Sequence, residues 1–184
     1  MVSNIIKDKT LDVCSGTGDI SSRLQRKGFD TIACDFSIEM LRGQSKINIH
    51  NAIAADATQL PFKNNTFSCI TIAFGIRNIN NIETFLNEAN RVLQKKGHLA
   101  ILELTMPDNF IIRKLYSLYL SLVVGGLGGL LSGNFYAYKY LSSTIKKFMT
   151  PDKLSQIMKN NGFEKIEIYK LTFGTATIIL GKKR

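Results

Sequence analysis

Short runs in which nearly every residue is apolar alternate with stretches in which apolar residues return every third or fourth position. TLDVC (10–14), DTIAC (30–34), HNAIAA (50–55), FSCITIAF (67–74) and HLAILEL (98–104) have the length and composition of buried strands. Between them, residues 19–27 set Ile20 and Leu24 on one helical face, and Ser37 is a good N-cap for a helix over 38–46. Residues 82–95 space Ile82, Phe85, Leu86, Ala89, Val92 and Leu93 as an amphipathic helix. Gly97 is expected to stop that helix, next to Lys95 and Lys96, which suit a helix C-terminus. Five such alternations predict a parallel sheet covered by helices on both faces.

The remainder follows a different rule. A helical segment starts at about Asn109, and Thr150 with Pro151 opens another helix that runs to about Asn161. FEKIEIYKLTFGTATIILGKKR closes the chain as two strands, and the LTFGT between them is short enough for a hairpin. An α/β, Rossmann-like fold is therefore expected, with a mostly parallel seven-stranded sheet ending in an antiparallel hairpin. That is the layout of class I methyltransferases that use S-adenosylmethionine. No repeat, linker or internal boundary interrupts the chain, so one domain over 1–184 is expected.

No residue from Leu115 to Tyr138 is charged, which is long enough to raise a membrane-spanning reading. GGLGG (125–129) would break such a helix, and two sheet strands follow it. An apolar lid or substrate segment at about 108–147 is the preferred reading. Arg113, Lys114, Lys139, Lys146 and Lys147 flank it and would attract anionic lipid head groups.

Composition narrows the classes. The chain has 184 residues, 45% of them hydrophobic, which rules against disorder as the main state. A net charge of +10 fits an anionic surface or ligand. The chain shows no RNP motif and no helix-turn-helix, so nucleic acid is not an expected partner. Cys14, Cys34 and Cys69 form no CxxC pair and an odd set, which points to reduced thiols in a cytosol-like compartment. With only His50 and His98 to join them, no metal site is expected. The first predicted strand follows so closely on Met1 that no signal or transit peptide is expected.

LDVCSGTGD (11–19) is a glycine-rich turn between a predicted strand and a predicted helix, with Gly16 and Gly18 admitting backbone angles that side chains resist. A dinucleotide turn would want a third glycine, where this chain has Ser21. Asp19 also puts negative charge where a pyrophosphate would sit. A sulfonium ligand with an amino-acid end meets no such conflict. Asp35 ends the second predicted strand, where a carboxylate can accept hydrogen bonds from both ribose hydroxyls or cap a helix beside Ser37. Asp56 and Ala57 end the third predicted strand, beside an adenine in this layout; a solvated turn is the alternative for Asp56.

In CITIAFGIRNI (69–79) an arginine follows an apolar strand by a few residues. Arginine stays charged, and burying it unpaired is costly. Ligands on parallel sheets bind outside the carboxyl ends of the strands, so Arg77 is expected to face the crevice.

Together these segments resemble the quinone-biosynthesis C-methyltransferases, which act on demethylmenaquinol and on the polyprenyl benzoquinol precursor of ubiquinone. LDVCSGTGDI resembles the family's first motif, ADATQLPFKNNTFSCITIAFGIRNI its central block, and RVLQKKGHLAILELTMP its RVLKPGG segment. YKYLSSTIKKF and the closing GF…LTFGTATIILGKK match its C-terminal pattern, so the resemblance covers residues 10 to 184. FGIRN with the YxYL segment is the specific part.

The resemblance implies S-adenosyl-L-methionine as cofactor, held at Gly16, Thr17, Gly18, Asp35, Asp56, Ala57 and Ala73, where the family usually has serine at the last of these. It implies C-methylation of a reduced polyprenyl quinone precursor in the cytoplasm, with transient contact at the inner membrane face; a homodimer is left open. Arg77 would favour a developing phenolate and Asn78 would orient the ring, or Arg77 would pair with Glu103 and brace its loop. Tyr138 and Tyr140 would line the substrate pocket or pack against it. Two departures are the Lys95–Lys96–Gly97 where the family has PGG, and the start, since family members carry several tens of residues before the first strand. The alternatives are a non-catalytic component of quinone biosynthesis and a methyltransferase for another lipid or phenol.

Overall fold

The structure is a computed structural model that describes residues 9–44, 51–128, 130 and 133–184. Seven strands form one sheet in the order β3-β2-β1-β4-β5-β7-β6. They are β1 (Thr10–Val13), β2 (Thr31–Asp35), β3 (Ala52–Ala54), β4 (Phe67–Ala73), β5 (Leu93–Leu104), β6 (Phe163–Leu171) and β7 (Ala176–Lys183). The first five run parallel, and β7 enters antiparallel between β5 and β6. Antiparallel β7 follows β6 through a tip at Thr172–Gly174, so the predicted hairpin is present.

The helices are α1 (Asp19–Arg26), α2 (Ile38–Gln44), α3 (Ile82–Val92), α4 (Phe110–Tyr119), α5 (Phe135–Lys147) and α6 (Pro151–Asn160). Central strands carry the core: every residue of β1 is buried, as is β4 up to Ala73. Helix α3 adds Phe85, Leu86, Ala89 and Val92, all at 0% exposure, as its 3,4 spacing requires. Asn81 caps α3 through Thr84 N, and Thr150 caps α6 through Lys153 N, ahead of Pro151.

Three boundaries differ from expectation. Helix α3 ends at Val92, not near Lys95, because Asn65 N and Thr66 N take the carbonyls of Arg91 and Val92. Leu93 then pairs with Phe67 in the sheet, fully buried. Gly97 is therefore no helix stop. A Cβ there would lie 2.9 Å from Gln94 O and 3.1 Å from Ser68 O, so glycine permits a close approach of backbones. The third strand is shorter than expected, and His50 lies outside the described residues, as do residues 45 and 46 of the expected second helix.

The third difference is in the apolar segment. Gly125 and Gly126 do not break the helix; α4 passes directly into a π-helix over Leu120–Gly128. Gly129 lies outside the described residues. Among the described residues no helix is long and apolar enough to cross a membrane.

Candidate active site

The carboxyl ends of β1, β2, β3 and β4 surround a cavity of about 870 Å³. Ligand sites on parallel sheets form there because the loops leaving adjacent strands diverge at the change of strand order. Of the residues singled out in the sequence, Gly16, Thr17, Asp35, Asp56, Ala57, Ala73 and Asn78 line this cavity. Gly18 is the N-cap of α1 with φ 86°, and Gly16 has φ 52°, so both glycines occupy left-handed conformations.

Asp35 joins two loops. Its Oδ2 accepts from Gly16 N at 2.8 Å and its Oδ1 from Ser37 N at 2.9 Å. Each carboxylate oxygen has a second lone pair, so these bonds pre-orient the group and leave acceptors for a vicinal diol. The capping and ribose roles proposed for it are compatible. Asp56 behaves similarly: Oδ1 accepts from Thr58 N and Thr58 Oγ1, each at 2.7 Å. These bonds hold its carboxyl below the usual carboxylate range. The loop carrying Asp56 is anchored by Arg91, which donates to Leu60 O and Phe62 O, and by Glu88, which accepts from Leu60 N.

One site residue escaped the sequence reading. Asp12, in the middle of β1, lines the cavity floor at 1% exposure. Its Oδ2 accepts from Ser21 N at 3.1 Å and Ser21 Oγ at 2.6 Å, and its Oδ1 accepts from Thr71 Oγ1 at 2.7 Å. One carboxyl thus ties β1, β4 and the first turn of α1 together beneath the glycine loop. Burial pushes its pKa up to about 6, against the pull of those hydrogen bonds. An acid inside an otherwise buried strand was the available signal. Ser21, judged only as a missing glycine, is its partner.

Cys14 and Gly75 close the gap between β1 and β4. A Cβ on Gly75 would lie 2.4 Å from Cys14 Cβ, so only glycine fits. Burial pushes the Cys14 thiol up to about 12. It stays neutral at physiological pH, which removes a nucleophile from a cavity suited to an electrophilic methyl donor.

Arg77 sits on a 3₁₀ turn, Ile76–Asn78, just past β4. Its Nη1 meets Glu103 Oε1 at 2.5 Å and Phe74 O at 2.7 Å, with side-chain exposures of 10% for Arg77 and 3% for Glu103. Glu103 Oε2 also accepts from Arg77 N, and Oε1 from Leu104 N. Burial raises the Glu103 pKa, offset in part by the Arg77 charge. Of the two roles weighed for Arg77, the pairing with Glu103 is present, and Arg77, expected to face the crevice, is not among the residues that line the cavity. The pairing does not use every donor: Arg77 Nε is buried and takes no partner among the described residues. Asn78 Oδ1 accepts from Tyr140 Oη at 3.2 Å, linking the cavity wall to α5. Tyr138 is half-buried on α5, and the cavity wall includes neither tyrosine. Among the described residues no cluster could hold a metal ion.

The ubiE/COQ5 methyltransferase family matches residues 2–183. The chain belongs to this family. It is 39% identical over 185 residues to a demethylmenaquinone methyltransferase from Thermotoga maritima, covering 98% of this chain and 80% of that protein. It is 40% identical over 184 residues to a demethylmenaquinone methyltransferase from Protochlamydia amoebophila, covering 94% of this chain and 76% of that protein. A ubiquinone/menaquinone biosynthesis C-methyltransferase from Teredinibacter turnerae is 35% identical over 187 residues, covering 96% of this chain and 75% of that protein.

Solved structures agree on the fold. A SAM-dependent methyltransferase from Archaeoglobus fulgidus superposes with a TM-score of 0.71 at 15% identity, covering 99% of this chain and 90% of that one. Phosphoethanolamine N-methyltransferase 2 from Haemonchus contortus, solved with S-adenosyl-L-methionine, gives a TM-score of 0.70 at 13% identity, covering 97% of this chain and 49% of that one. The expected class I methyltransferase fold is borne out, and S-adenosyl-L-methionine is the methyl donor of this family member.

Proposed function

We propose that the chain transfers a methyl group from S-adenosyl-L-methionine to a ring carbon of a reduced polyprenyl quinone precursor. The product is a menaquinol, or the methylated benzoquinol of ubiquinone synthesis. What carries this reading is the match of nearly the whole chain, at 35–40% identity, to relatives named for those reactions. Bound S-adenosyl-L-methionine supplies a methyl group made electrophilic by its sulfonium.

The chain's own residues fit the remaining tasks. Asp35 suits the ribose hydroxyls, and the Gly16–Thr17–Gly18 turn suits the amino-acid end. Asp56 suits the adenine amine, with Ala57 packing on the ring, and Ala73 lies at the end of β4 where the donor's reactive end would pass. A ring carbon becomes nucleophilic as the adjacent hydroxyl gives up its proton, so the site must favour a phenolate. Arg77 lies behind the cavity wall, paired with Glu103, and supplies fixed positive charge from there. Asn78, which lines the cavity and accepts from Tyr140 Oη, positions the ring, with Tyr138 packing behind.

In this reading α4, the π-helix and α5 form a lid over an isoprenoid tail, and the chain works in the cytoplasm at the inner membrane face. The absence of any acidic residue from Asn109 to Thr150, against five lysines and arginines, supports that placement. A non-catalytic role in the same pathway is the second reading, supported by Ala73, which carries no hydroxyl into the cavity.

Titration calorimetry with S-adenosyl-L-methionine, followed by turnover of reduced demethylmenaquinone, tests the proposal. Binding with turnover supports it, and binding without turnover selects the second reading. Arg77→Lys refines it: unchanged turnover at normal cofactor affinity would remove the phenolate role.

A further inference from the structure

The hairpin tip joining β6 and β7 carries an unusual combination. Thr172, Phe173 and Gly174 all have positive φ, at 46°, 57° and 89°. Only the last is a glycine, so two residues hold a conformation that L side chains resist. Phe173 is nonetheless 82% exposed, so its ring gains almost nothing from the fold. Neighbouring Leu171 is 39% exposed.

The tip is not adrift. Thr105 N donates to Thr175 O at 3.0 Å, and Thr105 Oγ1 donates to Gly174 O at 2.9 Å. Gly174 packs on Pro107, where a Cβ would sit 3.5 Å from its Cα. Lys170 pairs with Asp108. Residues 105–108 lead directly into α4, whose first two residues, Phe110 and Ile111, are 75% and 67% exposed. Two separate elements thus present large apolar side chains on either side of one clamped junction. Such a patch marks a surface that is covered in use.

We propose that this junction seats the protein on an anionic bilayer. Phe173, Leu171, Phe110 and Ile111 enter the interfacial layer, and Lys114 with the other cations of the acid-free 109–150 stretch holds the head groups. A protein partner would need acidic groups and shaped pockets to receive four protruding side chains; a bilayer supplies charge and a deformable apolar layer. Because the same residues anchor the start of α4, seating would hold the lid segment at the surface from which a polyprenyl substrate is drawn. This rests on the functional reading above.

The strain at Phe173 provides a test in which folding and binding move apart. Wild type, Phe173→Gly and Phe173→Asn are compared in flotation with vesicles of phosphatidylcholine alone and with added phosphatidylglycerol. Wild type should float with the anionic vesicles, less in high salt. Both variants should partition on the order of tenfold more weakly, the loss of one buried aromatic ring. Glycine and asparagine tolerate positive φ, so melting temperatures should be unchanged or higher. Cofactor affinity and turnover of a tail-less, water-soluble quinol should be unchanged.

Wild type that does not float, or variants that float like wild type, would overturn the proposal. So would a fall in melting temperature for both variants, or a dimer in solution that Phe173→Gly dissolves. Failure of wild type to methylate the soluble quinol would instead strike the functional reading, since no vesicle enters that assay.

Discussion

Asp35 Oδ2 accepts a 2.8 Å hydrogen bond from Gly16 N, nineteen residues earlier in the chain. The glycine turn after β1 and the acid at the end of β2 are thereby one unit: the carboxylate that suits the ribose also holds the turn that suits the amino-acid end. Replacing Asp35 with alanine should weaken S-adenosyl-L-methionine binding by about 1–3 kcal/mol, the cost of losing a charged hydrogen-bond partner. Calorimetry on the folded variant checks this. Unaltered affinity would remove Asp35 from the site.

Asp12 makes stability depend on pH in a direction unusual for a carboxylate. Its pKa is raised from 3.8 to about 6, above the unfolded value, because burial disfavours the charge. Its contribution to stability is therefore full below about pH 4 and falls as pH rises through 6. At about 1.4 kcal/mol for each pH unit, the total is on the order of 3 kcal/mol. Urea unfolding of wild type and Asp12→Asn at pH 4, 5, 6 and 7 should show the wild-type advantage shrinking with pH. A constant difference would contradict the assignment.

The Arg77–Glu103 pair is deeply buried, and breaking one side of it strands the other. Glu103→Ala should cost about 3–5 kcal/mol, since it leaves a guanidinium with Phe74 O as its remaining partner. Replacing both residues with apolar ones of similar volume should cost less than either single change. Chemical denaturation of the two single variants and the double variant gives the comparison.

Lys96 holds φ 63°, a left-handed conformation that suits glycine, and it is exposed. Lys96→Gly should stabilise the protein by about 0.5–1 kcal/mol, the left-handed strain less the backbone entropy of glycine. Gly97→Ala should do the opposite, because its Cβ would press on Gln94 O. Thermal melts of the pair should therefore move in opposite directions; a parallel shift would show that the turn adapts.

The alternation of apolar runs and 3,4 spacing was enough to place five parallel strands, α3, α6 and the closing hairpin. Both signals are local: a buried strand needs consecutive apolar residues, and a helix on a sheet needs one apolar face. The GxG turn, Asp35 and Asp56 were legible for the same reason, since each ends an element whose rhythm is plain. The boundary after Val92 was not legible, because it depends on Asn65 and Thr66 reaching carbonyls from a distant loop. Nor was the π-helix, in which glycines that weaken a helix in isolation are carried through in a looser winding.

Asp12 and Arg77 mark the division most clearly. Chemistry alone says that an acid within a buried strand and an arginine after one must find partners. Which partners they find follows from strands β1, β4 and β5 lying side by side, which brings Thr71 to Asp12 and Glu103 to Arg77. Those pairs lie 59 and 26 residues apart in the chain, and no local spacing encodes them. Burial then sets the protonation of Asp12, because desolvation depends on what surrounds a carboxyl in space.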